Sequence, residues 1–367
     1  MKVTCKTALI KDAVYVSARI AGRNKGNPIL GSIRITAKNS GLEFFSTNLE
    51  TGILVRIPAT IESTGDVAVP AAPLEGFIGN VASTDSITLV DDRHNLEIHT
   101  PSSTTVIKGS STADFPNFPS IRGEASVSFL AREFVSSLQA VSYAAAQSDI
   151  KPEIASVYLR ANGKHAVFVA TDSFRLAEKT IPIHEVGRGE LSLIIPYRSV
   201  GEIIRVFDGR DGDLNISCEK DQLIVSAANV HLFSRLIDGS FPEYGQIIPK
   251  RFATDAVLDR HSFSSAVKVS AVFSNTLHEL HLIAGTKNNT LTVTTRGGES
   301  GTHTAHLKAN VTGADTELVV NHRYIADALP HIHSSDVILR FPAERGPLVL
   351  SGVDDPSFQY LVMPMTP

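Results

Sequence analysis

The sequence is poor in the residues and patterns from which active sites are built. Its 367 residues include only two cysteines, Cys5 and Cys218, with no motif spacing. They read as small core residues of a protein kept in a reducing compartment. No stretch approaches the roughly 18 to 20 apolar residues that span a bilayer. Residues 1–10 carry Lys2 and Lys6 and no long apolar run, so no secretory leader is expected, and the cytoplasm is the expected location. There is no glycine-rich phosphate loop of the P-loop or dinucleotide type. Residues 298–302, Gly-Glu-Ser-Gly-Thr, miss the last glycine of a nucleophile elbow. Residues 208–213 are rich in Asp and Gly but lack a calcium loop's glycine and terminal glutamate in register, and read as a hairpin or helix-exit loop. His278 with His281, and His303 with His306, have a spacing that on strands sends the rings to opposite faces, which argues against joint metal ligation. His331 and His333 lie at an expected helix end, facing its C-terminal dipole or solvent. Carboxylates are scattered and form no catalytic pair. The sequence makes no case for an enzyme, a cofactor or a metal, and a net charge of -4 gives no bulk attraction to nucleic acid or membrane.

What remains is ordinary globular material, 43% hydrophobic and 20% charged, enough for a core in each of two or three domains. A short strand at 3–5 leads into a helix over 6–20, striped by Ala8, Leu9, Ala13, Val16 and Ile20. Short strands follow over 33–36, 42–46, 53–57 and 66–69, then a helix over 73–81, then strands over 87–90, 96–99 and 104–108. Asp114-Phe115-Pro116 closes this unit. The order then returns: a helix over 131–146, strands from 157 to 181, a strand and helix over 191–207, three strands to 236, and Gly239-Ser240-Phe241-Pro242 as the close. A third pass has helices over 262–274 and 322–329 among strands that run to 363.

Landmarks test the repetition. Thr47-Asn48, Thr171-Asp172 and Thr295-Arg296 each end the same kind of strand, and their second residues are 124 positions apart both times. Val69-Pro70, Ile195-Pro196 and Val320-Asn321 each join a strand to a helix at spacings of 126 and 125. Constant spacing of ordered landmarks indicates three copies of one domain, with a period far too long for a solenoid. Each copy is expected to be an α+β unit, two helices on one side of antiparallel strands.

Charge is unevenly placed. Residues 6–25 carry five basic residues against Asp12, and the six expected helices with their tails sum to about +6, leaving about -10 on the rest. Positive helices on an acidic protein suit a surface that meets phosphate on one side only. No base-reading motif accompanies them, so such contact would be to the backbone.

Six further stretches fall in order along the whole length: Asn27-Pro28-Ile29-Leu30-Gly31, Ser46-Thr47-Asn48-Leu49-Glu50, Asp114-Phe115-Pro116-Asn117, Ala-Thr-Asp-Ser-Phe-Arg-Leu-Ala at 170–177, Phe241-Pro242-Glu243-Tyr244 with Ile247-Ile248-Pro249, and Val362-Met363-Pro364-Met365. In these residues the chain resembles the DNA polymerase III beta subunit family, the bacterial sliding clamps. The resemblance implies clamp domains, set here at residues 1–122, 123–250 and 251–367. It implies a head-to-tail homodimer ring with helices inside and sheets outside, through which duplex DNA passes without sequence preference. The replicative polymerase, the clamp loader and other proteins would dock by short extended peptides, and the ring itself would catalyse nothing.

Matching residue by residue, the resemblance implies a peptide pocket of Ile154, Thr171, Phe174, Arg175, Leu176, Pro242, Ile247, Asn321, Tyr324, Leu361, Met363, Pro364 and Met365. Its leucine, isoleucine and methionine side chains suit several partner peptides. Gln246 stands where many relatives carry arginine, and Thr366-Pro367 lacks a basic residue often found there. Arg23, Asn24 and Lys25 match one DNA-contacting loop of the family, and Gln147, Ser148 and Lys151 another. Arg198, Arg205, Arg260 and Lys268 are added on helix charge alone. The ring interface would use Val272 and Phe273 against Thr104, Thr105 and Ile107. Two rival readings remain: a clamp-like peptide adaptor that does not encircle DNA, suggested by the polar Thr104-Thr105, and a metal-dependent enzyme, suggested only by the histidines.

Overall fold

Period-two burial decides most of the strands. In Glu279–Gly285, Leu280, Leu282 and Ala284 are fully buried and the residues between them are half-buried, as expected for a strand with one face on a core. The computed structural model describes residues 1–22, 27–82, 86–119, 125–148, 150–186, 190–297 and 301–365. Among them are six α-helices: α1 (Thr7–Ile20), α2 (Ala71–Asn80), α3 (Ala131–Ser142), α4 (Tyr197–Phe207), α5 (Arg260–Val272) and α6 (His322–Ala328). None is long and apolar enough to cross a membrane. They fall two to a repeat, with α1 packed on α2 and α5 on α6.

The buried stripe of α1 is wider than the expected one. Ala13, Val16 and Ile20 are buried as expected, Ala8 is exposed and Leu9 half-buried, and Thr7, Ile10, Val14 and Ser17 are buried as well. Small polar side chains lie on the inner face because the sheet approaches closely there: Ser46 Oγ donates to the Ser17 carbonyl at 2.6 Å.

Chain contacts divide the molecule into two compact units, and the central repeat contributes to both. The first comprises residues 1–135, 183–191 and 198–236; the second comprises 136–182, 192–197 and 237–367. The first unit holds a five-stranded sheet in the order Thr60–Ser63, Lys2–Cys5, Ile87–Asp92, Asn95–His99, Thr104–Ile107. Its nine-stranded sheet runs Glu185–Val186, Ala125–Leu130, Asp213–Glu219, Gln222–Ala227, Val230–Arg235, Thr51–Ile57, Gly41–Thr47, Ser32–Lys38, Gly65–Pro70. There the first and second repeats share one antiparallel ladder, with Val230 opposite Val55 and Phe233 opposite Gly52. In the second unit, Arg175–Pro182 pairs with Phe358–Val362, joining the second and third repeats in another nine-stranded sheet. A four-stranded sheet completes that unit, in the order Thr302–Lys308, Thr290–Arg296, Glu279–Gly285, Thr316–Asn321. The strands Ala125–Leu130 and Phe252–Asp259 go beyond the sequence expectation. In Phe252–Asp259 burial alternates, but Thr254 is a polar member of the buried set and dilutes the signal, and in Ala125–Leu130 Val127, Ser128 and Phe129 are all buried.

The closing Phe-Pro motifs are aromatic anchors. Phe115 meets Phe45 edge-on at 5.7 Å, under the Arg34 guanidinium. Phe241 stacks on Tyr158 at 4.9 Å. Such pairs add roughly 0.5–1.5 kcal/mol beyond the area they bury.

The strand-ending landmark is one turn built twice. Thr47 Oγ1 donates to the Thr51 carbonyl and Thr171 Oγ1 to the Arg175 carbonyl. Asn48 Oδ1 accepts from the Glu50 and Thr51 amides, and Asp172 Oδ1 from the Phe174 and Arg175 amides. Between them Leu49 and Ser173 take φ of 77° and 78°, a region L side chains enter at a cost. The third copy, Thr295-Arg296-Gly297, has no side-chain acceptor in second place. A Cβ on Gly297 would lie 2.1 Å from the Phe273 carbonyl oxygen, so the residue must be glycine there. Relief of the backbone strain predicts that Ser173→Gly stabilises the protein by about 0.5 kcal/mol, read as a higher denaturation midpoint; an unchanged or lower midpoint contradicts this account of the turn.

Candidate functional site

The turn at 171–175 presents Phe174 to solvent, 62% exposed, because the left-handed Ser173 lifts the chain out of the ladder. Arg175 points the other way, and its side chain is only 11% exposed. Its guanidinium meets Asp172 Oδ2 at 3.0 Å, Asp327 Oδ2 at 2.5 Å and the Tyr143 carbonyl at 2.8 Å. It also lies over the Tyr324 ring, 4.6 Å from the centroid. Burial alone would lower its pKa, but Tyr360, Asp327 and Asp172 overcome that and hold it above the usual arginine value. A planar cation with five fixed donors suits such a junction. Burial raises the hydroxyl pKa values of Tyr143, Tyr360 and Tyr324.

Around this junction the structure gathers most of the residues named for the pocket. Leu176 lies opposite Leu361 in the ladder, and both belong to one buried cluster with Val169, Ile194, Phe241 and Val349. Thr171 faces Leu176 across the neighbouring pair. The Met363 amide donates to the Phe174 carbonyl at 2.8 Å, and the Met365 amide to Val319 at 2.8 Å, so the tail is tied at two points. Asn321 caps α6 by accepting from the Arg323 amide, which orients Tyr324. Ile247 and Met363 line one groove and are 46% and 39% exposed. Pro242 is exposed beside buried Phe241, and Pro364 is half-buried. Ile154 is buried, its amide bonded to the Lys151 carbonyl. Asp327 and Tyr143 were not readable as members, because they reach Arg175 from 152 and 32 residues away.

The candidate DNA-facing residues are more dispersed. Arg23, Asn24 and Lys25 lie outside the described residues. Gln147, Ser148 and Lys151 are exposed, next to Ile150, which is 87% exposed. Arg198 and Lys268 are exposed. Arg205 pairs with Glu202 at 2.5 Å, and Arg260 donates to the Ser334 carbonyl at 3.1 Å, so part of the expected helix charge is engaged within the protein.

At the candidate interface, Thr104–Ile107 and Thr302–Lys308 are each the last strand of a sheet. Ile107 is 8% exposed and faces its own core, whereas Val106, not singled out from the sequence, is 55% exposed. Val272 is 70% exposed, and Phe273 stacks on His303 at 5.8 Å.

One histidine expectation needs correction. His278 precedes its strand, at φ 63°, so strand alternation does not govern it; its ring meets His322 edge-on at 5.4 Å. His331 does lie in the last turn of a helical segment, Leu329–His331, and is half-buried. It stacks on Tyr143 at 4.8 Å, and burial lowers its pKa. Among the described residues no three His, Cys, Asp or Glu side chains are grouped to hold a metal ion.

Family models for the N-terminal, central and C-terminal domains of the DNA polymerase III beta subunit match residues 1–119, 130–243 and 245–366 in that order. The chain belongs to the DNA polymerase III beta subunit family. It is 24% identical over 371 residues to a beta sliding clamp of Synechococcus elongatus, covering 100% of this chain and 99% of that one. It is 22% identical over 347 residues to the beta sliding clamp of Staphylococcus aureus, covering 92% of each. Among solved structures, the Bacillus subtilis sliding clamp superposes with a TM-score of 0.94 at 20% identity, covering 100% of this chain and 99% of that one. A Pseudomonas aeruginosa sliding clamp bound to griselimycin gives a TM-score of 0.94 at 21% identity, covering 100% of both chains.

Removing the Arg175 side chain leaves two carboxylates without their shared partner. Arg175→Ala is expected to cost about 2–3 kcal/mol of stability, measured by denaturant unfolding; a loss below about 0.5 kcal/mol means the junction is not structural.

Proposed function

We infer that this chain is a DNA sliding clamp: a non-catalytic, ring-shaped processivity factor that encircles duplex DNA and tethers the replicative polymerase and other replication and repair proteins. The observation that carries the reading is the match of all three family domain models, consecutive and in order along the chain. Two chains meet head to tail, helices toward the DNA and sheets outward. DNA is retained by topology, so its contacts can be weak, which fits an acidic protein with net charge -4 whose helix cations are partly spent internally. The protein works in the cytoplasm.

Ring closure joins the end strands Thr104–Ile107 and Thr302–Lys308 of opposite chains, since an open strand edge is satisfied by another strand. Exposed Val106 and Val272 supply apolar contact. A hollow of about 360 Å³ lined by Phe77, Asn80, Val81 and Ser103 is available to receive Val272 of the other chain. The docking pocket is the cleft around Leu176, Leu361 and Met363, with Arg175 fixing its floor.

Light scattering at micromolar concentration is expected to give twice the 39.4 kDa chain mass. The protein should stay on nicked circular DNA and slide off once the circle is cut. A persistent monomer that leaves circular DNA as fast as linear DNA sinks the reading; peptide binding with no retention on circles leaves the adaptor alternative. Val272→Asp should shift the ring to monomers.

Deleting residues 363–367 removes the tail from the pocket. Polymerase-derived peptides should then lose at least tenfold in affinity, by the loss of a buried apolar anchor, while the mass in solution stays that of the pair. Unchanged affinity in a fluorescence titration would show that the pocket lies elsewhere.

A further inference from the structure

Beside the proposed docking pocket, and sharing Ile247 and Met363 with it, runs a groove of about 500 Å³ in the second unit. Its other walls are residues 246–251 and 342–347. Three cations line it, Lys250, Arg251 and Arg345, against the single carboxylate of Glu344. All four are exposed. None of the three cations forms an ion pair among the described residues, unlike Lys38, Arg56, Arg175 and Lys179. Nearby Arg340 is occupied, its guanidinium 5.9 Å from the Phe252 ring centroid. The groove is therefore a cationic extension of an apolar cleft.

We propose that this groove receives acidic residues flanking the apolar anchor of a docking peptide, so that this protein prefers partners with Asp or Glu beside that anchor. The inference rests on the docking reading and gives it a charge specificity. An extended peptide advances roughly 3.3 Å per residue, so flanking residues reach the shared wall within a few positions of the anchor. Arginine forks bind carboxylates with two parallel hydrogen bonds. The three cations lie at the rim and stay hydrated, so each adds little; together they discriminate between partners and speed encounter. Gln246 on the same wall is uncharged, so the groove's positive charge comes from Lys250, Arg251 and Arg345.

The test uses the full-length protein and two labelled extended peptides with the same leucine-rich anchor, one flanked by Asp and Glu and one by Asn and Gln. At low salt the acidic peptide is expected to bind about fivefold more tightly, and the advantage should fade at high salt. In the triple variant K250Q/R251Q/R345Q the advantage disappears while the affinity for the Asn-Gln peptide is kept, which also shows that the variant is folded. Equal affinity of the two peptides for the unaltered protein overturns the charge preference and leaves docking standing. An advantage that survives in the triple variant overturns it as well. Competition by a short DNA duplex that is lost in the triple variant assigns the cations to nucleic acid and overturns it. Binding of neither peptide overturns the docking reading and this inference with it.

Discussion

The backbone ladder between Arg175–Pro182 and Phe358–Val362 is the interaction on which the second unit depends. It joins segments about 180 residues apart, placing Arg175 opposite Val362 and Leu176 opposite Leu361. Without it, the turn at 171–175 would be a surface corner and the chain's tail a free end. With it, a landmark of the second repeat and the last strand of the third become neighbours, and the Met363 amide finds the Phe174 carbonyl. The ladder between Val230–Arg235 and Thr51–Ile57 plays the matching part in the first unit. Both ladders do what an exposed sheet edge requires, which is to pair it. A consequence is that repeats defined along the chain are not separate folding bodies. The central repeat gives one sheet to each unit, and long-range ladders of this kind are slow to form because loop closure precedes the reward.

Much of this was legible in the sequence, and the limits are physical. Each of the six described helices overlaps its expected range, with ends that differ by up to four residues, as at α3, which stops at Ser142; periodicity was clearest in the long α1 and α3. The repeat was visible because the turn chemistry is written into Thr47-Asn48 and Thr171-Asp172, whose side chains bond the same backbone positions in each copy. Phe252–Asp259 was harder to see because buried Thr254 stands in the same set as Ala256 and Leu258 and weakens its alternation. The stripe of α1 was read in part, through Ala13, Val16 and Ile20; Thr7 and Ser17 were missed because polarity scales do not anticipate their burial.

The candidate site was legible in part for the same reason. Leu176, Leu361 and Met363 lie on strands or next to strand ends, where register fixes them. The partners of Arg175 could not be read, since Asp327 arrives on α6 and Tyr143 from the end of α3, and no local pattern links them. Val106 was missed at the candidate interface for a simpler reason. The alternation of four residues, Thr-Thr-Val-Ile, does not say which side faces the core, and burial of Ile107 settles that Val106 faces out.

The same physics separates two uses of charge in this molecule. At Arg175 a cation is drawn into the fold, satisfied by two carboxylates and a carbonyl, and so fixes geometry. Such a group is costly to bury and still more costly to orphan, which ties the shape of the pocket floor to the integrity of the unit. At Lys250, Arg251 and Arg345 the cations remain exposed and unpaired, and so stay available to another molecule. In the proposed docking reading, a fixed charged floor beside an exposed charged rim would let one apolar cleft accept several peptides while ranking them by what flanks the anchor.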